Sequence, residues 1–182
     1  MTTDQAEGIS RIRSYIQHNA GKSEGAVRAL VQTGHDKLFG PIADLSEEQA
    51  TFKPNGDEWS VLETLRHVVQ AKRGVARICA RLARGETPRN VGQEGEAAVQ
   101  DGIIGEEFAT LAQARAAAQA AQDELLAFID TLSADVNLET RYRHFLFGDL
   151  NCREWAAFQR VHDGDHGNQI EKILAAEGFP PA

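Results

Sequence analysis

The sequence predicts an all-α domain: a four-helix bundle with one or two extra short helices and a long loop between the second and third long helices. Three observations lead there. Apolar residues recur at helical spacings along most of the chain. Strand-like alternation over four or more residues is scarce. Four long periodic segments are each bounded by capping or terminating residues.

In the first 20 residues, Ile9, Ile12 and Ile16 stand three and four apart and predict a short amphipathic helix, which "HNAGKSEG" interrupts. From Glu24, the residues Val27, Leu30, Val31, Gly34 and Leu38 form the apolar stripe of a core helix, and Gly40 with Pro41 stops it. Ser46 and Gln49 are spaced as a capping box for one short helical piece, followed by a Pro/Gly turn. Ser60 and Glu63 form a second box, which starts a helix running to about Arg84 and ending at Gly85. Residues 85–105 hold five glycines and little periodicity, and read as a long loop.

From Glu106 a heptad-like stripe of Phe108, Leu111, Arg115, Ala118, Gln122, Leu125, Ile129 and Leu132 predicts a helix of about 27 residues. Its two polar members predict a seam that is not uniformly buried. The connector from Ser133 to Leu150 contains "RYRHFLFGDL", whose aromatics are expected to pack beneath the bundle. The last helix is expected to open at Asn151, with Glu154 as its cap partner, and to close near Glu177 and Gly178.

A chain of 182 residues suits one well-buried domain. The core is expected over residues 25–176, with 1–20 as an N-terminal extension helix. A net charge of -8 repels phosphate backbones and anionic lipid, so neither nucleic acid nor a membrane is an expected partner. No apolar run reaches the roughly 18 residues of a membrane span, and the N-terminus lacks signal-peptide features, which predicts a cytoplasmic protein. Cys79 and Cys152 form no CxxC unit and read as reduced thiols: Cys79 as a small hydrophobe on an apolar face, Cys152 near a helix start where a thiol pKa can fall.

The unusual residues gather in the last helix. On a helical wheel Trp155, Phe158, His162, His166, Gln169 and Ile173 share one inward arc, while Arg160, Gly164, Gly167 and Glu171 fall opposite. Two histidines four apart on one helical face can bind one metal ion; two core histidines hydrogen-bonded to neighbours is the competing reading. His67 on the second long helix is the best third ligand, because Thr64, Ala71 and Gly74 around it are small; the alternative is a surface histidine. Glu63 either orients His67 or serves only its cap. Asp163 is assigned to the flank of the helix and Asp165 to the core margin, so Asp165 is the preferred partner for the histidines. Gln169 is expected to contact a ligand or satisfy a buried group. His18 and His35 read as surface or loop residues, and His144 as a weaker candidate lining the pocket from above. Gly164 and Gly167 fit either a close approach of another chain, such as the partner in a homodimer, or simple tolerance in a stable bundle.

"EWSVLETLRH" followed far downstream by "FGDLNCREWAAFQRVHDGDHGNQI" resembles the DinB/YfiT-like superfamily of bacterial four-helix bundles. The resemblance is carried by Trp59, Ser60, Glu63, His67, Phe147, Gly148, His162, His166, Gln169 and Ile170, and runs from about Gly25 to Ala176. It implies a divalent metal, variously zinc, nickel or iron, bound by His67, His162 and His166. It further implies that some relatives are transferases or isomerases using low-molecular-weight thiols such as bacillithiol or mycothiol.

Three neutral histidines leave an ion its full charge and an open position, which suits catalysis. The leading expectation is an enzyme acting on a small-molecule substrate, activating a thiol or water against an electrophile, with Trp155 and Phe158 as an apolar wall. The alternative is a non-catalytic, stress-associated metal-binding dimer, favoured by the lack of an obvious general base. A zincin needs H-E-x-x-H, whereas Asp163 follows His162 here. A phosphohydrolase built on His162-Asp163 needs further His and Asp ligands that the sequence does not place.

Overall fold

The computed structural model describes residues 3–88, 108–133 and 135–181. The chain runs through α1 (Thr3–Ala20), α2 (Glu24–Phe39), a 3-10 turn (Gly40–Ile42), α3 (Glu47–Thr51), α4 (Val61–Ala83), α5 (Leu111–Ile129), β1 (Tyr142–His144), β2 (Gly148–Leu150) and α6 (Cys152–Leu174). Helices α2, α4, α5 and α6 form the bundle, each packed against two of the others in the cyclic order α2, α5, α4, α6. Helix α1 lies outside this ring along α6, with Ile16 fully buried and Ile9 and Ile12 partly so.

Local chemistry sets the helix ends. The Ser60 Oγ accepts from the Glu63 backbone N–H at 3.2 Å, and Glu63 Oε2 accepts from the Ser60 N–H at 2.8 Å. This reciprocal box satisfies two donors that a helix start otherwise leaves without partners. The same device, built from Ser46 with Gln49 and from Asn151 with Glu154, opens α3 and α6. At the far end of α4, the Gly85 N–H reaches Leu82 O and the Glu86 N–H reaches Arg81 O, with Gly85 at φ +77. That pair of bonds is a Schellman closure, and its left-handed position suits glycine.

Three expectations change. Helix α5 spans Leu111–Ile129 and is shorter than the stripe, because the Thr110 side chain caps it by accepting from the Gln113 N–H. Residues 89–105 of the expected loop, and 106–107 of the expected helix, lie outside the described residues. The aromatic connector contains a short antiparallel hairpin in which Tyr142 pairs with Leu150 and His144 with Gly148. Three-residue strands are too short to leave a periodic signature. Finally, α6 ends at Leu174, before Glu177.

The apolar core has two parts. One contains Ile16, Val31, Val75, Cys79, Leu82, Leu125, Ile129, Trp155 and Phe158; the other contains Leu38, Leu62, Leu65, Val68, Leu111, Ala118, Ile170 and Ile173. Between them along the helices lie Lys72, Gln122 and Asp163, exposed by 1%, 0% and 0%. The expectation of a partly wet seam on α5 therefore fails at Gln122. Its amide is buried because it accepts from Lys72 Nζ at 2.9 Å.

Candidate metal centre

Helices α4 and α6 bring His67, His162 and His166 together, with one nitrogen from each ring lying within 4.8 Å of the others. His67 Nε2 stands 3.1 Å from His162 Nε2. Ring centroids are 5.2 Å apart for His67 and His162, 4.8 Å for His67 and His166, and 4.5 Å for His162 and His166. The spacing of four on α6 stacks His162 and His166 one turn apart, as helical geometry dictates.

Burial first, then the His166 ring, pushes the His67 pKa down to about 4. His162 is held well below its ordinary value by burial, then by the neighbouring His166 and His67. Burial lowers His166 as well, against an opposing hydrogen bond from Gln169. All three rings are therefore neutral near pH 7 and carry lone pairs for a cation.

Donor chemistry and spacing both fit a divalent ion. Two nitrogens bound to one tetrahedral zinc-sized ion stand about 3.3 Å apart, close to the observed His67 to His162 separation. His166 Nδ1 lies 2.8 Å from Gln169 Oε1; with the amide oxygen accepting, the proton sits on Nδ1 and Nε2 is left free. His162 Nδ1 is buried with no hydrogen-bond partner among the described residues. Such an orphan costs about 1–3 kcal/mol.

An open cleft of about 540 Å³ leads to the cluster, lined by Asp57, Glu58, Trp59, His166, Gln169, Lys172 and Ile173. Trp59 lies 5.2 Å from the His67 ring and is stacked at 6.4 Å on that of His166. A larger cleft of about 680 Å³ lies away from the histidines, around Lys22, Ser23 and Arg153.

The remaining expected residues fall as follows. Glu63 is occupied by its cap and by Lys53, whose Nζ lies 2.8 Å away. Trp155 and Phe158 are buried behind His162 rather than in the cleft; Phe158 is 5.8 Å from the His162 ring, and the Trp155 Nε1–H donates to Tyr142 O. His144 joins this aromatic group at 4.5 Å from Phe158, while its Nδ1 accepts from the backbone of Leu146 and Phe147. It shapes the hairpin.

The assignment of the two aspartates is reversed. Asp165 is exposed, whereas Asp163 is fully buried and ion-paired with Lys72 at 2.8 Å. His35, expected at the surface, is also buried, with Nδ1 3.4 Å from Lys72 Nζ and Nε2 3.3 Å from Gln119 Oε1. His18 is exposed. Gly167 approaches α2 of its own chain, whereas Gly164 meets the Arg160 side chain of its own helix. A Cβ on Gly167 would stand 3.7 Å from Leu38 Cα, and Gly164 is buried beside Arg160. The wheel misled here because α6 is covered by α1, α2 and α4 and has little solvent face.

Lys72 is the site neighbour that the sequence reading missed; Trp59 entered only through the resemblance, and Asp163 was placed on the flank of the helix. A signal existed for Lys72, which occupies the same stripe as Leu65, Val68, Val75 and Cys79.

A four-helix bundle with three converging imidazoles beside an open cleft fits the class of metal-binding helical bundles. The model of the DinB superfamily matches residues 30–170, and the chain belongs to that superfamily. Among solved structures it is similar to that of TT2238, a four-helix bundle protein, at TM-score 0.61 and 16% identity, covering 82% of this chain and 99% of that one. No curated protein matches the chain in sequence.

Proposed function

We propose that the protein is a divalent-metal enzyme that activates a thiol or a water molecule against a small electrophile, with His67, His162 and His166 as ligands. The observation that carries this reading is the convergence of three neutral imidazoles beside a cleft. His67, His162 and His166 would hold the ion, which when bound would supply Lewis-acid chemistry that makes a thiol or water a better nucleophile near neutral pH.

The chain's own residues do the rest. Gln169 fixes the His166 ring by holding its Nδ1 proton, and Trp59 covers one side of the cluster with an apolar face. Asp57 and Glu58 line the cleft and are the carboxylates in the lining to take the role of base toward an incoming thiol or water. Lys172 on the same rim can pair with an anionic substrate group.

Metal content of the purified protein beside His67→Ala and His162→Ala variants tests the ligand set. About one ion per chain in the parent and loss in both variants is expected; undiminished metal in both removes these ligands. Turnover of metallated protein with a panel of thiols and electrophiles tests catalysis. Failure with every substrate leaves a non-catalytic metal-binding bundle.

A further inference from the structure

The polar layer that divides the core lies directly beside the histidine cluster. Lys72 follows His67 by five residues on α4, and Asp163 follows His162 by one on α6. Both side chains are almost fully removed from water. Lys72 Nζ is ion-paired with Asp163 Oδ2 at 2.8 Å, donates to Gln122 Oε1 at 2.9 Å and lies 3.4 Å from His35 Nδ1. Asp163 Oδ1 accepts from Gln159 Nε2 at 2.7 Å. Gln122 Nε2 in turn donates to Gln32 Oε1 at 3.2 Å, so the layer joins all four bundle helices.

Burial of an ion pair is poor evidence for stability, because desolvation offsets most of the attraction. Its best-attested use is to select one register of helices over others, since a shifted register strands a charge in apolar surroundings. A slide or rotation of α6 against α4 would also separate His67 from His162 and His166.

We infer that Lys72 and Asp163 are positioning residues: their buried pair fixes α4 against α6 in the one register that brings the three imidazoles together. The inference rests on the metal-site reading for its consequence, but the positioning itself can be observed without metal.

The test compares the parent with Asp163→Asn, which nearly preserves shape, and with the Lys72→Met/Asp163→Leu double variant, which replaces the pair by apolar side chains. In metal-free protein, nuclear Overhauser contacts between the His67 and His162 rings report their proximity. Co²⁺ titration reports affinity, and the visible spectrum reports coordination. Variants that retain helical content but lose the ring contacts and bind Co²⁺ at least tenfold more weakly are expected, the scale at which residues supporting metal ligands usually act. A folded variant with intact ring contacts and parental Co²⁺ affinity and spectrum overturns the inference. Should the parent bind no Co²⁺ while the ring contacts still vanish in the variants, the metal reading fails and the positioning role stands.

Discussion

Helices α4 and α6 enclose two polar clusters side by side, and the two are built on opposite terms. In the lysine layer, Lys72 and Asp163 are 1% and 0% exposed and ion-paired, and Lys72 Nζ also lies against Gln122 and His35; among the described residues Gln159 Oε1 and Asp163 Oδ2 are the layer's atoms without a hydrogen-bond partner, the latter facing the lysine charge. In the histidine cluster the rings are half-buried and uncharged, meet one another tilted or edge-on, and reach the cleft through His166. One cluster is closed and nearly satisfied; the other is open and unfinished. Polar groups that satisfy one another contribute structure, whereas those left with unused lone pairs facing a cleft are available to a ligand.

The largest expected contrast comes from breaking each cluster once. Lys72→Met leaves the Asp163 charge buried without its counter-ion and should cost about 3–5 kcal/mol in urea unfolding. His67→Ala should cost within about 1 kcal/mol of metal-free stability while abolishing metal retention. Equal losses from the two variants would erase the distinction.

Acid should act mainly through the histidines. Burial lowers His67 and His144 from an ordinary 6.5 to about 4 and holds His162 well below its ordinary value. Between those values the unfolded chain binds more protons than the folded one, so stability rises with pH across this window. It is complete above about pH 6.5 and lost as pH falls towards 4. Thermal melts of metal-free protein at pH 7, 5.5 and 4.5 should show a progressive drop in Tm, and His67→Gln should flatten it.

Smaller effects sharpen the boundary of the site. Glu63→Ala removes half of the α4 capping box and should cost about 1 kcal/mol, with Co²⁺ affinity unchanged. A fall in affinity would return Glu63 to the metal centre. Smallest of all, Gly167→Ala places a Cβ 3.5 Å from Lys37 O, an ordinary contact, and should stabilise by up to about 1 kcal/mol through helix propensity. Gly34→Ala should fare worse in the same melts, because its Cβ meets Arg160 Cα at 3.2 Å and Asp163 Cβ at 3.3 Å.

The bundle was readable because its helix signals are local. Capping boxes at Ser46, Ser60 and Asn151, and the terminating Gly85, act within a few residues, so spacing alone locates them. The approach of His162 to His166 is likewise a property of one helix, and the place of His67 followed from small neighbours on its own face. The hairpin was hidden because its strands span three residues each, and the exchange of roles between Asp163 and Asp165 was hidden by the covering of α6 on several sides.

Periodicity and caps, which operate within a single turn of backbone, were enough to set the helices and to point two imidazoles the same way. Which faces then meet is settled across the bundle, by burial summed over distant segments. Only that packing could pair Lys72 with Asp163, draw His35 out of water, seat Gly167 against α2 and carry His67 to within 3.1 Å of His162.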